Sequence, residues 1–222
     1  MANIFSSSIG KKLIMSVSGL FLIMFLLVHL TVNLMILFDS TGELFNEAAH
    51  FMTTNPIIKI MEPLLALGFL IHIFYGTYLE YRNNKARPVK YAVSNKSDAS
   101  WSSKNMLLTG IVIFAFLTVH LWNYFYKIKF TDLISSGSMT ESDLVRSIFM
   151  PERWYFSIFY IVSFILLALH LNHSFQSAFQ TLGLNNNKWL NRWKVIGMLY
   201  AFVIAAGFSV IPIAIFIQEY FK

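Results

Sequence analysis

Long apolar runs organise this chain. Residues 13–38 carry no charged side chain, and neither do 63–79, 105–126, 154–187 and 195–218. A helix that crosses a bilayer needs about 20 mainly apolar residues. The pattern predicts an all-α membrane protein with five transmembrane helices, over about 13–38, 57–80, 105–127, 154–180 and 194–218. The second helix is expected to start upstream of its apolar run, near Pro56, taking Lys59 and Glu62 into its end. The first run is too long for the roughly 7–15 apolar residues of a signal peptide, and no small-x-small cleavage site follows it. No soluble domain is expected, so residues 1–222 read as one membrane domain. The longest loop, about 127–153, is polar, and its Ser-Ser-Gly-Ser stretch at 135–138 reads as a flexible turn.

Composition agrees with the pattern. Hydrophobic residues make up 56% and charged residues 13% of the 222, against roughly 25% charged in a soluble domain. Cysteine is absent, which excludes disulfides, thiolate metal sites and covalently attached haem on this chain. The net charge of +6 would suit nucleic acid until the charges are located. Lys11, Lys12, Arg82, Lys85, Arg87, Lys90, Lys96, Lys104, Lys188, Arg192 and Lys194 fall on one side of the predicted spans. Lys59, Lys127, Lys129, Arg146, Arg153 and Lys222 fall on the other. By the positive-inside rule the basic side is cytoplasmic, which puts the N-terminus inside and the C-terminus outside. The charge is then mainly a topology signal, and a basic cytoplasmic face that docks a partner is a compatible second reading.

Histidine inside a bilayer is costly and marks function. His29, His72, His120, His170 and His173 lie in predicted spans, at least one in each of the first four, while His50 lies in the first outer loop. At about 1.5 Å of rise per residue, His29 and His120 fall in the outer half and His72 and His170 in the inner half. In an up-down-up-down bundle, helices one and three are diagonal partners, as are two and four. Each depth-matched pair therefore faces across the bundle core, where two imidazoles can ligate one haem iron. Two levels make two haems. Bis-histidine ligation fills both axial positions, which suits electron transfer. His173 follows His170 by one turn on roughly the same face. Depth favours His170 as the partner of His72, which leaves His173 for a propionate or quinone contact, or for a polar helix end.

A weak internal repeat accompanies the histidines. Ser18-Gly19 precedes Val28-His29-Leu30 as Thr109-Gly110 precedes Val119-His120-Leu121. Each glycine stands ten residues before its histidine, about 15 Å of rise, and so near the inner haem level. A missing side chain there would let a flat macrocycle approach the backbone. Gly68 and Gly76, four residues either side of His72, invite the same reading, and Gly197 and Gly207 in helix five mark close contacts, with itself or with another protomer of a dimeric complex.

The segment Ser16-Val-Ser-Gly-Leu-Phe-Leu-Ile-Met-Phe-Leu-Leu-Val-His29 resembles the first helix of the membrane cytochrome b subunit of succinate dehydrogenase and fumarate reductase. The similarity is to the single-polypeptide, five-helix, di-haem type. It extends through Thr109-Gly110…Val119-His120 and His170-Leu-Asn-His-Ser-Phe-Gln…Leu-Gly183, over essentially the whole chain. The resemblance implies two haems b, ligated by His29 with His120 (outer) and His72 with His170 (inner), and a propionate contact from Ser16. It implies a flavoprotein subunit with FAD and an iron–sulfur subunit on the cytoplasmic face of a bacterial inner membrane. It also implies exchange of electrons with a membrane quinone, usually menaquinone. Two positions depart from the pattern. Ala168 stands where some relatives have a Glu used in proton transfer, and Thr181 where some have a Lys for a propionate. Propionate contacts then fall to His173, Lys104, Lys188 or Trp101.

Quinone chemistry moves protons and asks for a titratable group near the outer haem. Glu43, Glu47, His50 and Glu62 are the outer candidates. Two other readings compete. The haem b subunit of a hydrogenase or formate dehydrogenase would put its catalytic partner mainly on the outer face, against the basic cytoplasmic loops. A transporter would use the histidines as a relay or metal path and would more often carry Asp or Glu within its spans.

Overall fold

The computed structural model describes residues 7–86, 104–184 and 186–222. Among these residues the chain is helical and holds no strand. Five helices are long and apolar enough to span a membrane, over 8–37, 56–85, 106–130, 151–181 and 188–220. Helical structure satisfies every interior backbone group within the segment, as an apolar solvent demands. The first helix, α1, is Ser8–Leu34 and continues as a 3-10 turn to Leu37. A short helix α2, Glu43–Thr54, precedes α3, Pro56–Lys85. Then come α4, Met106–His120, a π-helical segment Leu121–Tyr126 and the single turn α5, Lys127–Phe130. Helix α6 is Glu141–Ile148, α7 is Trp154–Thr181 and α8 is Asn187–Tyr220.

The spanning helices outrun the apolar runs at their polar ends, where side-chain caps extend them. Ser7 Oγ accepts from Gly10 N at 2.9 Å to start α1. Asn55 Oδ1 accepts from Ile57 N ahead of a proline at the first helical position. Asn186 Oδ1 does the same for Trp189 N at the start of α8. The basic residues Arg87, Lys90 and Lys96 and the ring of Trp101 lie outside the described residues.

The first four spanning helices form a ring. Helix α1 packs between α3 and α7, and α7 packs between α1 and α4, while α3 and α4 meet only sparsely. The diagonals are therefore α1 with α4 and α3 with α7. Helix α8 packs along α7 and α1 outside the ring. The glycines of α8 mark contacts inside the chain: a Cβ at Gly197 would meet Phe175 of α7 at 3.1 Å, and one at Gly207 would meet Leu30 of α1 at 2.9 Å. Ile204 between them is fully buried. Large apolar residues such as Leu64, Leu67, Leu70 and Phe74 stay exposed along α3, a lipid-facing stripe.

The end of the bundle away from the N-terminus is closed by structure that the polar loop pattern did not foretell. Helix α6 starts with a capping box, Thr140 and Asp143 each bonding the other's backbone N–H. It buries Leu144, Val145 and Ile148, and the last two join Phe45 of α2, Ile36 and Ile215 of α8 in one apolar cluster. Arg146 ties this lid to the end of α8 through Gln218 and Glu219, at 3.3 and 3.8 Å. Ahead of α2, Asp39 accepts from the Thr41 hydroxyl at 2.7 Å, and that bond holds the Asp39 carboxyl below its ordinary range. Gly42 then takes φ 81°, with Ser142 Oγ of α6 at 2.5 Å from where a Cβ would stand.

Gly42 and Gly137 both have positive φ, but Gly137 has open space around its missing Cβ. Gly42→Ala is expected to lower stability by about 1–3 kcal/mol through strain plus collision with the lid, and Gly137→Ala by clearly less. Thermal unfolding of the two variants in detergent checks the order.

Candidate functional site

Two pairs of imidazoles face each other inside the ring. On the α1–α4 diagonal, the rings of His29 and His120 have centres 5.7 Å apart and nearly perpendicular planes. On the α3–α7 diagonal, His72 and His170 have centres 6.4 Å apart. Of the two α7 histidines, His170 is the one that meets His72, and His173 lies one turn further, half buried. The His72–His170 pair stands toward the N-terminal end of the bundle and the His29–His120 pair toward the lid, ten residues of α1 (about 15 Å) beyond Gly19.

The repeated Ser-Gly and Thr-Gly pairs build the inner pair. Ser18 Oγ on α1 lies 3.4 Å from His72 Nδ1 on α3. Thr109 Oγ1 on α4 lies 3.2 Å from His170 Nδ1 on α7. A Cβ at Gly19 would stand 3.2 Å from His72 Cε1, and one at Gly110 3.8 Å from His170 Cε1. The missing side chains thus leave room for the edge of an imidazole. Gly68 and Gly76 serve helix packing instead: their missing side chains accommodate Phe21 and Met15 of α1. Ser16 is buried on α1 two residues before Ser18.

The outer pair sits in an aromatic shell. Phe25 stacks on His29 at 5.1 Å, and Phe208 of α8 lies against the same ring at 5.6 Å. Phe116 stacks on His120 at 5.6 Å, with Tyr124 at 5.1 Å and Tyr160 at 6.3 Å. The Asn33 amide nitrogen lies 3.4 Å from His29 Nδ1. His120 Nδ1 is buried with no protein partner. Immediately after His120 the helix widens into its π segment, a feature that recurs at functional sites. The widening turns Asn123 inward, where its amide donates to the Tyr160 hydroxyl at 3.2 Å.

The residues present suit a haem iron between the members of each pair. An iron between two imidazoles, about 2 Å from each nitrogen, places the ring centres roughly 6 Å apart. Both separations match. At the inner pair, each hydroxyl also lies 3.0 Å from the carbonyl three residues earlier, Met15 O or Met106 O, to which it donates. When Nδ1 carries the ring hydrogen, the hydroxyl accepts it and Nε2 keeps the lone pair for a metal. Among the described residues, no three His, Cys, Asp or Glu side chains gather into one metal-holding group.

The outer acidic candidates stand apart from these pairs. Glu43, Glu47 and His50 are exposed on α2. Glu62 on α3 accepts from Lys129 Nζ at 2.8 Å, an ion pair that joins α3 to α5 at the lid end. Lys104 and Lys188 are exposed at the N-terminal end. Ser18, Thr109, Asn33, Asn123 and Tyr160 were not singled out from sequence. For the first two the repeat was the available signal, one residue to the left of the glycines. Hydrophobic pattern carries none for the others.

The fold and site define a multi-pass helical membrane protein with two levels of facing imidazoles. No family model, curated protein or solved structure matches the chain.

The Asn123–Tyr160 bond is buried in apolar surroundings, so removing one partner leaves a polar group stranded. Tyr160→Phe is expected to cost about 1–3 kcal/mol, and adding Asn123→Leu to recover only part of it, because the Tyr124 hydroxyl also bonds Tyr160. Unfolding of the single and double variants in detergent gives the comparison.

Proposed function

We propose that this chain is the membrane anchor and electron-transfer subunit of a succinate dehydrogenase or fumarate reductase, carrying two haems b. The observation that carries the reading is the pair of facing imidazole sets at two depths, each on a diagonal of the four-helix ring. His29 with His120, and His72 with His170, are the residues that would hold the two irons. When bound, haem b supplies one-electron transfer with both axial positions filled and no open site for oxygen. The chain's own residues set the ligand orientation, exclude water with the aromatic shell and separate the two levels by roughly 15 Å of helix rise.

Partners and direction follow from the resemblance and from charge. By sequence, eleven of the 17 basic residues fall on the side of the spans that is read as cytoplasmic. An iron–sulfur subunit and an FAD-bearing flavoprotein subunit dock there in this reading. Quinone, of the menaquinone type, meets the lid end. There Glu62 stands ten residues before His72 on α3, at the level of the outer pair. The basic end also weighs against a hydrogenase-type or formate-dehydrogenase-type cytochrome, whose catalytic partner would sit opposite.

Single alanine substitutions test the ligand assignment. His29→Ala and His120→Ala are expected to remove one and the same haem, and His72→Ala and His170→Ala the other, in reduced-minus-oxidised spectra of the purified complex. His173→Ala is expected to retain both. Retention of both haems by all four ligand variants would overturn the reading.

A further inference from the structure

Membrane helices commonly carry Ser and Thr that satisfy themselves on their own backbone. Thr31, Thr77 and Thr118 do so here, bonding Leu27, Ile73 and Phe114 carbonyls on exposed faces. Ser18 and Thr109 are different. They are 8% and 1% exposed, and each reaches a histidine on a neighbouring helix as well as its own backbone. The two contacts repeat each other: same position before a glycine, same carbonyl three residues upstream, same ring nitrogen. The outer histidines lack such a hydroxyl. Asn33 on the same helix lies beside His29, and His120 Nδ1 has no protein partner.

We infer that Ser18 and Thr109 are positioning residues that fix the tautomer and orientation of His72 and His170, and so tune the inner metal site separately from the outer one. This rests on the haem reading above. Each hydroxyl has one proton, committed to the Met15 or Met106 carbonyl, so toward the imidazole it acts as acceptor. Nδ1 therefore keeps its hydrogen, and Nε2 is the free base. A ligating imidazole that donates its second N–H is oriented and made more electron-rich, which favours the oxidised metal. The glycine beside each hydroxyl lets the ring edge come close enough for the bond, most tightly at Gly19.

The test is a redox titration of the purified complex carrying Ser18→Ala or Thr109→Val, with both haems followed by their spectra. Loss of the hydroxyl is expected to reduce the inner site's preference for ferric over ferrous iron about tenfold, a rise of about 59 mV in its midpoint potential. The outer haem stays at its wild-type potential. Ser18→Thr and Thr109→Ser restore the inner value, because they restore the acceptor. Should Ser18→Ala lose the inner haem outright while Ser18→Thr keeps it, the hydroxyl is again the cause. Unmoved potentials, equal shifts of both haems, or loss of the inner haem in Ser18→Thr as well would overturn the inference. A wild-type complex with two haems and an unmoved inner potential in the variants overturns this inference alone. A wild-type complex without haem overturns the haem reading, and this inference with it.

Discussion

An imidazole inside an apolar bundle must find something for both of its nitrogens, and four such rings govern how this chain packs. A polar nitrogen stranded in a low-dielectric interior costs free energy comparable to a lost hydrogen bond. The rings face each other across the two diagonals of the ring of helices, at 5.7 and 6.4 Å, with a hydroxyl beside Nδ1 of each inner histidine and no protein partner for His120 Nδ1. Helices α3 and α4 touch little, while the contacts of α1 with α3 and of α4 with α7 carry the hydroxyls that reach the inner histidines. Helix α8 holds no histidine, yet it contributes Phe208 to the wall around His29.

The two levels are braced by different chemistry. Beside the inner pair stand hydroxyls that reach across helix boundaries from a repeated Ser/Thr-Gly step. The outer pair is held by stacked rings, with Phe25, Phe116, Tyr124 and Phe208 around it. Hydrogen bonding and burial are the levers by which a protein sets the electronics of a ligated metal. One fold thus offers two sites of unlike character about 15 Å apart along α1. The lid of α2 and α6 closes the end next to the aromatic site, and Arg146 ties it to the end of α8.

Much of this was legible because a bilayer imposes simple arithmetic. Spanning length identified the five helices, and rise per residue sorted His29 with His120 and His72 with His170 before any contact was known. The lid escaped because α2 and α6 are short and bury only part of one face. Residues such as Leu144, Val145 and Ile148 read as a loop until something covers them, though the Thr140–Asp143 capping box was there to see. Gly19, Gly110, Gly68 and Gly76 were recognised as close approaches, but spacing along one helix does not say which side chain of the next helix lies beside the gap. Asn123 and Tyr160 met through a π segment, and no periodicity predicts a change of helical period.

The central claim is that each facing pair holds one iron between two imidazoles. Electron paramagnetic resonance of the oxidised, purified complex, quantified per copy of this chain, addresses it most directly. The account predicts two distinct low-spin ferric signals of the bis-imidazole type, one per chain each, because the two levels differ in their surroundings. A high-spin signal from an open coordination position, a single haem per chain, or no haem in a folded preparation would contradict it.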